Sequence, residues 1–365
     1  MSWIAITDHH GGQFRPRGVG CGPADHGGDP PYPPDRLLPR GTLLLETRLS
    51  PEGRPQTLLA FRRTHPWSGS FSLRALPEGG IILVEAQDDD IRHATLPHDP
   101  DGRTDIVRLS YAWDAPARWG RLTLERPESD IIHSVDLPPP HPMLLADIEA
   151  LARHPHSREM DRDVDFFAVS TKVEPVGPMP ALTSRVPIAT ATGDVPAGQL
   201  RRGDMVLTDT GDAVPVLQMV SRTVPARGSF RPVRLRAPYF GLTKDIVVAP
   251  QQRLVLGGSQ VEYMFGREAV LVPARHLVNG KSALFATGPE LVTYYHMLLP
   301  GHDAVMAAGC ALESLYVGRL RRKPVQLAQS VLAGADRARL PEHARPVWPV
   351  LKPFEAITLA MERAA

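Results

Sequence analysis

Short strand-like runs, each stopped by a turn, follow one another through residues 41 to 137, and two of them, Thr104 to Trp113 and Gly120 to Glu125, alternate between apolar and polar residues. The runs are Thr42 to Leu49, Gln56 to Arg62, Gly69 to Leu76, Gly80 to Glu85, Thr104 to Trp113 and Gly120 to Glu125. A period of two places successive side chains on opposite faces of a pleated strand. Pro77-Glu-Gly-Gly80 is a turn signal between two of the runs. Strands at this spacing predict an all-β sandwich. The 38 prolines act in the same direction, because each removes a backbone donor and limits helix length.

Outside this block the chain changes character. Residues 1 to 40 contain a Gly/Pro/Asp-rich stretch that includes Gly27-Gly28-Asp29-Pro30-Pro31. Such a composition buries little apolar surface and predicts a leader that is flexible or lies extended over a neighbour. Pro138-Pro-Pro-His-Pro142 ends the sheet. Met143 to Ala152 has apolar residues at helical spacing, so 138–180 reads as a helix followed by a Pro-rich linker. Residues 181 to 318 return to short strands. Val206 to Val216 predicts a hairpin around Asp209-Thr-Gly211, and Lys244 to Leu256 predicts two strands flanking Pro250. Residues 319 to 365 form a tail with an Arg-rich start and a helix predicted from Pro324 to Ala333, with Gly334 as its stop.

With 365 residues the chain has room for about two domains. Its net charge of +1 gives no reason to expect nucleic acid or a membrane surface as partner, while leaving room for a local basic patch. No apolar run reaches the length of a membrane span, and the first ten residues lack a basic-then-apolar signal. A cytoplasmic chain is the default expectation, with signal-independent secretion as the other route. Two cysteines, Cys21 and Cys310, are too few for a disulfide framework.

The segment Ala181-Leu-Thr-Ser-Arg-Val-Pro-Ile-Ala-Thr190, the turn at Gly193 and Leu200-Arg-Arg-Gly203-Asp204 carry a specific likeness. So do Leu271-Val-Pro-Ala-Arg-His-Leu-Val-Asn279-Gly280, then Tyr295-His296-Met-Leu-Leu299, His302 and Glu313-Ser314. Together these resemble the bacterial hedgehog/intein, or Hint, domain, a self-processing all-β module, over residues 181 to 318. Tyr111-Ala-Trp113-Asp114 followed by Arg118-Trp119-Gly120 is similar to the paired central strands of laminin-G or concanavalin-like jelly rolls. The fold class implied is mainly β: a jelly-roll-like sandwich followed by a Hint-like domain.

Hint chemistry begins when a Cys or Ser side chain attacks the preceding carbonyl. Ala181 stands at that position and has no lone pair. The resemblance places a second group, which polarises the scissile amide, in a Ser-Pro-x-His-Arg segment. Here that segment reads Ala249-Pro250-Gln251-Gln252-Arg253. The hydroxyl is lost at Ala249, and Gln252 cannot titrate where the family has histidine. No catalytic, cofactor or metal residue is therefore assigned. Thr183 and Ser184 are substitute nucleophiles only if the attack geometry shifts, and small shifts are costly. His296 and His302 are read as a strand residue and a turn residue, the other reading being action on an asparagine or water.

Several further residues offer sites. His9-His10, His141, His154 and His156 have no metal-ligand spacing and read as loop histidines. Asp88-Asp89-Asp90 fits either a calcium rim or a simple hairpin cap, the latter being expected. Trp113 reads as core, while Trp67, more than Trp119, is the candidate for stacking on a sugar. Three functions result. The first is a Hint scaffold kept as a structural or binding module for an unknown protein or glycan. The second is residual autoproteolysis near residue 181, and the third a carbohydrate-binding module in the first domain.

Overall fold

The computed structural model describes residues 2–20, 32–77, 79–98, 102, 104–129 and 131–364. The chain divides into two compact units. The first is Met1–Glu174 with Arg227–Ser229, and the second is Pro175–Ala226 with Phe230–Ala365.

The first unit is a sandwich of two main antiparallel sheets, as the short runs predict, with Leu37–Leu38 and Met143–Leu144 forming a separate two-stranded ladder. Seven strands lie in the order Ile131–Leu137, Trp119–Arg126, Ile106–Asp114, Arg40–Arg48, Val164–Ser170, Trp3–Thr7 and Gly12–Phe14. The second sheet orders Arg158–Glu159, Gln56–Arg63, Gly69–Ala75, Ile81–Gln87 and Asp90–Leu96. One apolar core joins both sheets, with Leu43, Leu45, Leu109 and Phe167 from the first and Leu59, Phe61, Phe71 and Leu83 from the second. Phe71 meets Tyr111 across the gap at 5.7 Å between ring centroids, and Tyr111 stacks on Trp113 at 5.3 Å. Trp113 is core, as read from sequence, and its indole N–H donates to the Leu38 carbonyl at 3.0 Å. The helix Leu145–Arg153 buries Ile148, Leu151 and Ala152 in the same core.

Two expectations are corrected here. Trp3–Thr7, placed by sequence in a flexible leader, is a strand of the larger sheet, buried along its whole length. Val164–Ser170, placed in the bridge, pairs between Arg40–Arg48 and Trp3–Thr7. Neither strand alternates in burial, so neither carries the half-buried signature of Gly69–Ala75. Of the Gly/Pro-rich stretch, 21–31 lies outside the described residues, Cys21 included.

The polar positions of the larger sheet also depart from the simple alternation. Glu46, Arg108 and Glu125 are all buried. The Arg108 guanidinium lies 3.8 Å from each carboxylate, and Arg108 also donates to the Ser229 hydroxyl at 2.6 Å. Burial pushes the Glu46 carboxyl up, against the pull of Arg108.

The second unit is also built on antiparallel strands. One sheet runs Gln218–Pro225, Leu291–Leu298, Leu182–Thr183, Ile246–Val248, Val233–Leu235 and Ala283–Phe285. The other runs Ala213–Pro215, Met205–Leu207, Pro187–Thr190, Ala304–Ala307, Cys310–Glu313, Arg253–Gly257 and Ala269–Pro273, with Gly193–Pro196 paired to Pro187–Thr190. The expected hairpin is present, with Gly211 supplying the positive φ its turn needs. The strands flanking Pro250 are present too, one in each sheet.

The helix predicted from Pro324 to Ala333 ends earlier, at Gln329. The Ser330 hydroxyl donates to the Leu327 carbonyl and accepts from the Leu332 N–H, which replaces the next helical turn. The segment read as a tail is integral to this unit. Leu271 N–H donates to the Pro349 carbonyl, and Leu351 N–H to the Leu271 carbonyl. The helix Pro353–Ala364 then buries Ala356, Leu359 and Ala360 in one core with Leu182 and Leu254. Among the described residues no helix is long and apolar enough to cross a membrane.

Candidate functional site

The register of three neighbouring strands builds the site. Leu182 pairs with Val248 on one side and Tyr295 on the other. One residue back along the same registers, Ala181 lies level with Ala249 and with His296. Cross-strand partners point to one face of a sheet, so these three side chains share a face. The Ala249 N–H donates to the Ala181 carbonyl at 2.7 Å, which fixes the row. Ala181 is 2% exposed. The place of the missing nucleophile is thus a methyl group inside the fold.

Gln252 is 1% exposed. Its amide donates to the Arg253 carbonyl at 2.9 Å and to the Glu313 carbonyl at 3.1 Å. A side-chain amide has two hydrogens, so both are committed to the main chain. None remains to polarise another carbonyl. The Gln252 Oε1 is buried without a hydrogen-bond partner among the described residues.

His296 shares the Glu313 carbonyl as acceptor, at 3.0 Å from its Nε2. A carbonyl only accepts, so Nε2 carries the proton. Burial holds the imidazole below its ordinary pKa, against the opposing pull of Glu313 and of the Met179 main chain. His302 is buried as well, although its segment is a turn. The Val347 N–H donates to its Nδ1 at 3.1 Å. Its Nε2 therefore donates to the Glu313 carboxylate, at 2.9 Å. Arg253 approaches the same carboxylate at 3.3 Å. The His302 ring packs edge-on against Tyr316 at 4.8 Å and against Trp348 at 6.0 Å.

The structure therefore brings together Ala181, Ala249, Gln252 and His296. Of these, His296 reads from sequence as a strand residue, with action on an asparagine or water as the other reading. Glu313 is the residue that sequence reasoning missed: its carbonyl receives Gln252 and His296 while its carboxylate receives His302 and Arg253. Its place in the Glu313-Ser314 motif was the available signal.

The substitute nucleophiles are placed differently. The Thr183 hydroxyl donates to the Val247 carbonyl at 2.7 Å. Two residues along a strand separate it from Ala181, about 7 Å. Ser184 is exposed.

The other candidates stay apart from this cluster. His9, His10, His154 and His156 are exposed. Asp88 accepts from the Ser68 N–H and hydroxyl, whereas Asp90 turns to Arg92 and His141. Among the described residues no three His, Cys, Asp or Glu side chains converge as a metal site. Trp67 is half-buried beneath the Arg63 guanidinium, and Trp119 lies under that of Arg121.

The family model of the Hint domain matches residues 180–319. No curated protein matches the chain. Among solved structures, the MchDnaB-1 intein is similar at 17% identity, over 36% of this chain and 98% of that chain, with a TM-score of 0.26. The Ruminococcus gnavus IT-sialidase CBM40 bound to alpha2,6 sialyllactose is similar at 12% identity, over 37% of this chain and 78% of that chain, with a TM-score of 0.27. The LG1-3 region of the laminin alpha2 chain is similar at 7% identity, over 79% of this chain and 55% of that chain, with a TM-score of 0.24. At such scores the site's chemistry rests on this chain's own residues. Residues 180–319 of this chain are a Hint domain.

Proposed function

We propose that the Hint scaffold of this chain no longer processes itself and is kept as a structural or binding module. The commitment of Gln252 carries this reading. Both of its amide hydrogens are held by main-chain carbonyls, beside a methyl group where a nucleophile would sit. Replacement of histidine by an amide removes the proton donor and acceptor, and the amide has taken up a purely structural pairing. His296 supports the same reading, since its proton-bearing Nε2 is tied to the Glu313 carbonyl.

Residual cleavage through a shifted hydroxyl is disfavoured. Thr183 already donates to Val247, and Ser184 faces solvent. The test is incubation of the full chain with a thiol or hydroxylamine at alkaline pH, followed on denaturing gels. A single full-length band over days is expected. A fragment ending at Pro180 or beginning near Thr183 would overturn the proposal, and loss of that fragment in a Thr183→Val, Ser184→Ala variant would identify the hydroxyl responsible.

A further inference from the structure

The charge of this chain is unevenly distributed. The whole sequence nets +1, yet residues 319 to 345 hold seven Lys or Arg against two Asp or Glu. This segment does not hang free. Leu320, Leu327, Leu332 and Leu340 pack with Val220, Leu298, Leu315 and Val317 in one apolar cluster. His343 reaches from its far end to the Leu299 carbonyl. The basic groups are therefore presented on a fixed base.

Three of them converge. Arg321, Arg322 and Arg337 line one open pocket of about 710 Å³, together with Asp336, Ala338 and Glu342. Glu342 accepts from Arg321 Nε at 2.7 Å and from Arg322 Nε and NH2 at 2.8 and 2.7 Å. The two guanidinia hold its carboxyl down to about 2, so it is ionised throughout the physiological range. Arg337 Nε donates to the Arg321 carbonyl at 2.7 Å, and Arg321 NH1 to the Leu340 carbonyl at 3.2 Å. Asp336 is taken up by Arg339 at 3.3 Å. Three guanidinia thus line a patch whose one carboxylate not held by Arg339, Glu342, is shared by Arg321 and Arg322, and the surplus is positive. Planar guanidinium forks fixed in this way suit the oxygens of phosphate groups, because two parallel N–H donors match two oxygens.

We propose that Arg321, Arg322 and Arg337 form a binding site for a small polyphosphorylated anion, with Glu342 as the built-in carboxylate that holds the forks apart and competes with the ligand. The convergence of three guanidinia on one small patch suits a compact, multiply charged anion. No aromatic side chain lines the pocket, which removes the stacking surface that single-stranded nucleic acid uses. The site lies outside the Ala181 cluster and is independent of whether the Hint domain cleaves.

The test is isothermal titration of the full chain with inorganic tripolyphosphate at low ionic strength, since screening weakens exposed pairs. Saturable binding is expected, weakened about tenfold in Arg322→Gln, whose side chain pairs with Glu342. Glu342→Gln removes the internal competitor and should bind about tenfold tighter. That gain separates a ligand site from a merely structural ion pair, which would lose on either change. Unchanged thermal melting of Arg322→Gln keeps the comparison valid. Should that variant melt early, Arg337→Gln takes its place. Absence of binding, equal affinity in all variants, or binding only to anionic lipid vesicles would overturn the proposal.

Discussion

The main-chain N–H of Ala249 donates to the carbonyl of Ala181, so two positions where the family carries a nucleophile and a hydroxyl hold neighbouring methyl groups. On the reading proposed above, the backbone row is present without the side-chain atoms that would react. That reading bears first on the behaviour of a thiol placed at residue 181.

Restoring the thiol alone should not restore the reaction. Ala181→Cys places sulfur at a buried position beside His296, whose burial disfavours the charged form, and near Gln252, both of whose amide hydrogens are committed. A thiol in such a setting stays protonated and weakly nucleophilic. The variant is expected to stay full length under alkaline thiol. The new cysteine should react with a disulfide reagent only after denaturation, as Cys310 should, its thiol being pushed by burial up to about 12. Fast labelling of residue 181 in the native protein, or cleavage before it, would contradict this.

Acid should weaken the fold partly through His276. Its burial, reinforced by Arg275, lowers its pKa from 6.5 to about 4. The unfolded chain therefore takes up the proton first, and the stability is complete above pH 6.5 and is lost as pH falls toward 4. Urea midpoints of wild type and His276→Gln should converge over that interval. A constant difference between them from pH 7.5 to 4.5 would remove this group from the account.

Glu85 acts in the opposite sense. Burial raises its carboxyl to about 7, with Tyr111 hydroxyl 3.3 Å away. The folded state holds the proton longer than the unfolded state, so the stabilisation present below pH 4.5 is lost as pH rises through 7. Glu85→Gln mimics the protonated form. It should exceed wild type in melting temperature at pH 8 and match it at pH 5. Equal melting at both values would show that the carboxyl is not perturbed.

The helix Pro353–Ala364 should be indispensable to the second unit. Leu359 is fully buried in the main core of that unit. Leu359→Ala should cost about 2–5 kcal/mol, the usual range for removing a buried leucine. Chemical unfolding measures it, and a loss below about 1 kcal/mol would show a detachable tail instead.

Much of this was legible in the sequence because alternation is a local signal. Gly69–Ala75 alternates in burial over most of its length and was found. Val164–Ser170 and Trp3–Thr7 do not, because strands buried on both faces present an unbroken apolar run. The helix Pro353–Ala364 was missed for a related reason. Phe354, Ile357 and Met361 are exposed apolar residues that blur its buried stripe of Ala356, Leu359 and Ala360. At the site, Ala181, Ala249 and Gln252 were legible as departures from a motif. The neighbourhood of His296 was not, since it depends on the pairing of Leu182 with Tyr295, 113 positions away. Buried charges such as Glu46 and Arg108 were invisible for the same reason: their partners are set by register.

The most direct measurement is the intact mass of the full chain after prolonged incubation with hydroxylamine and thiol at alkaline pH, taken beside an untreated sample. A Hint domain without its reaction gives one species of unchanged mass in both. A pair of fragments summing to the chain and meeting between Pro180 and Ala181, growing with time, would contradict the loss of self-processing.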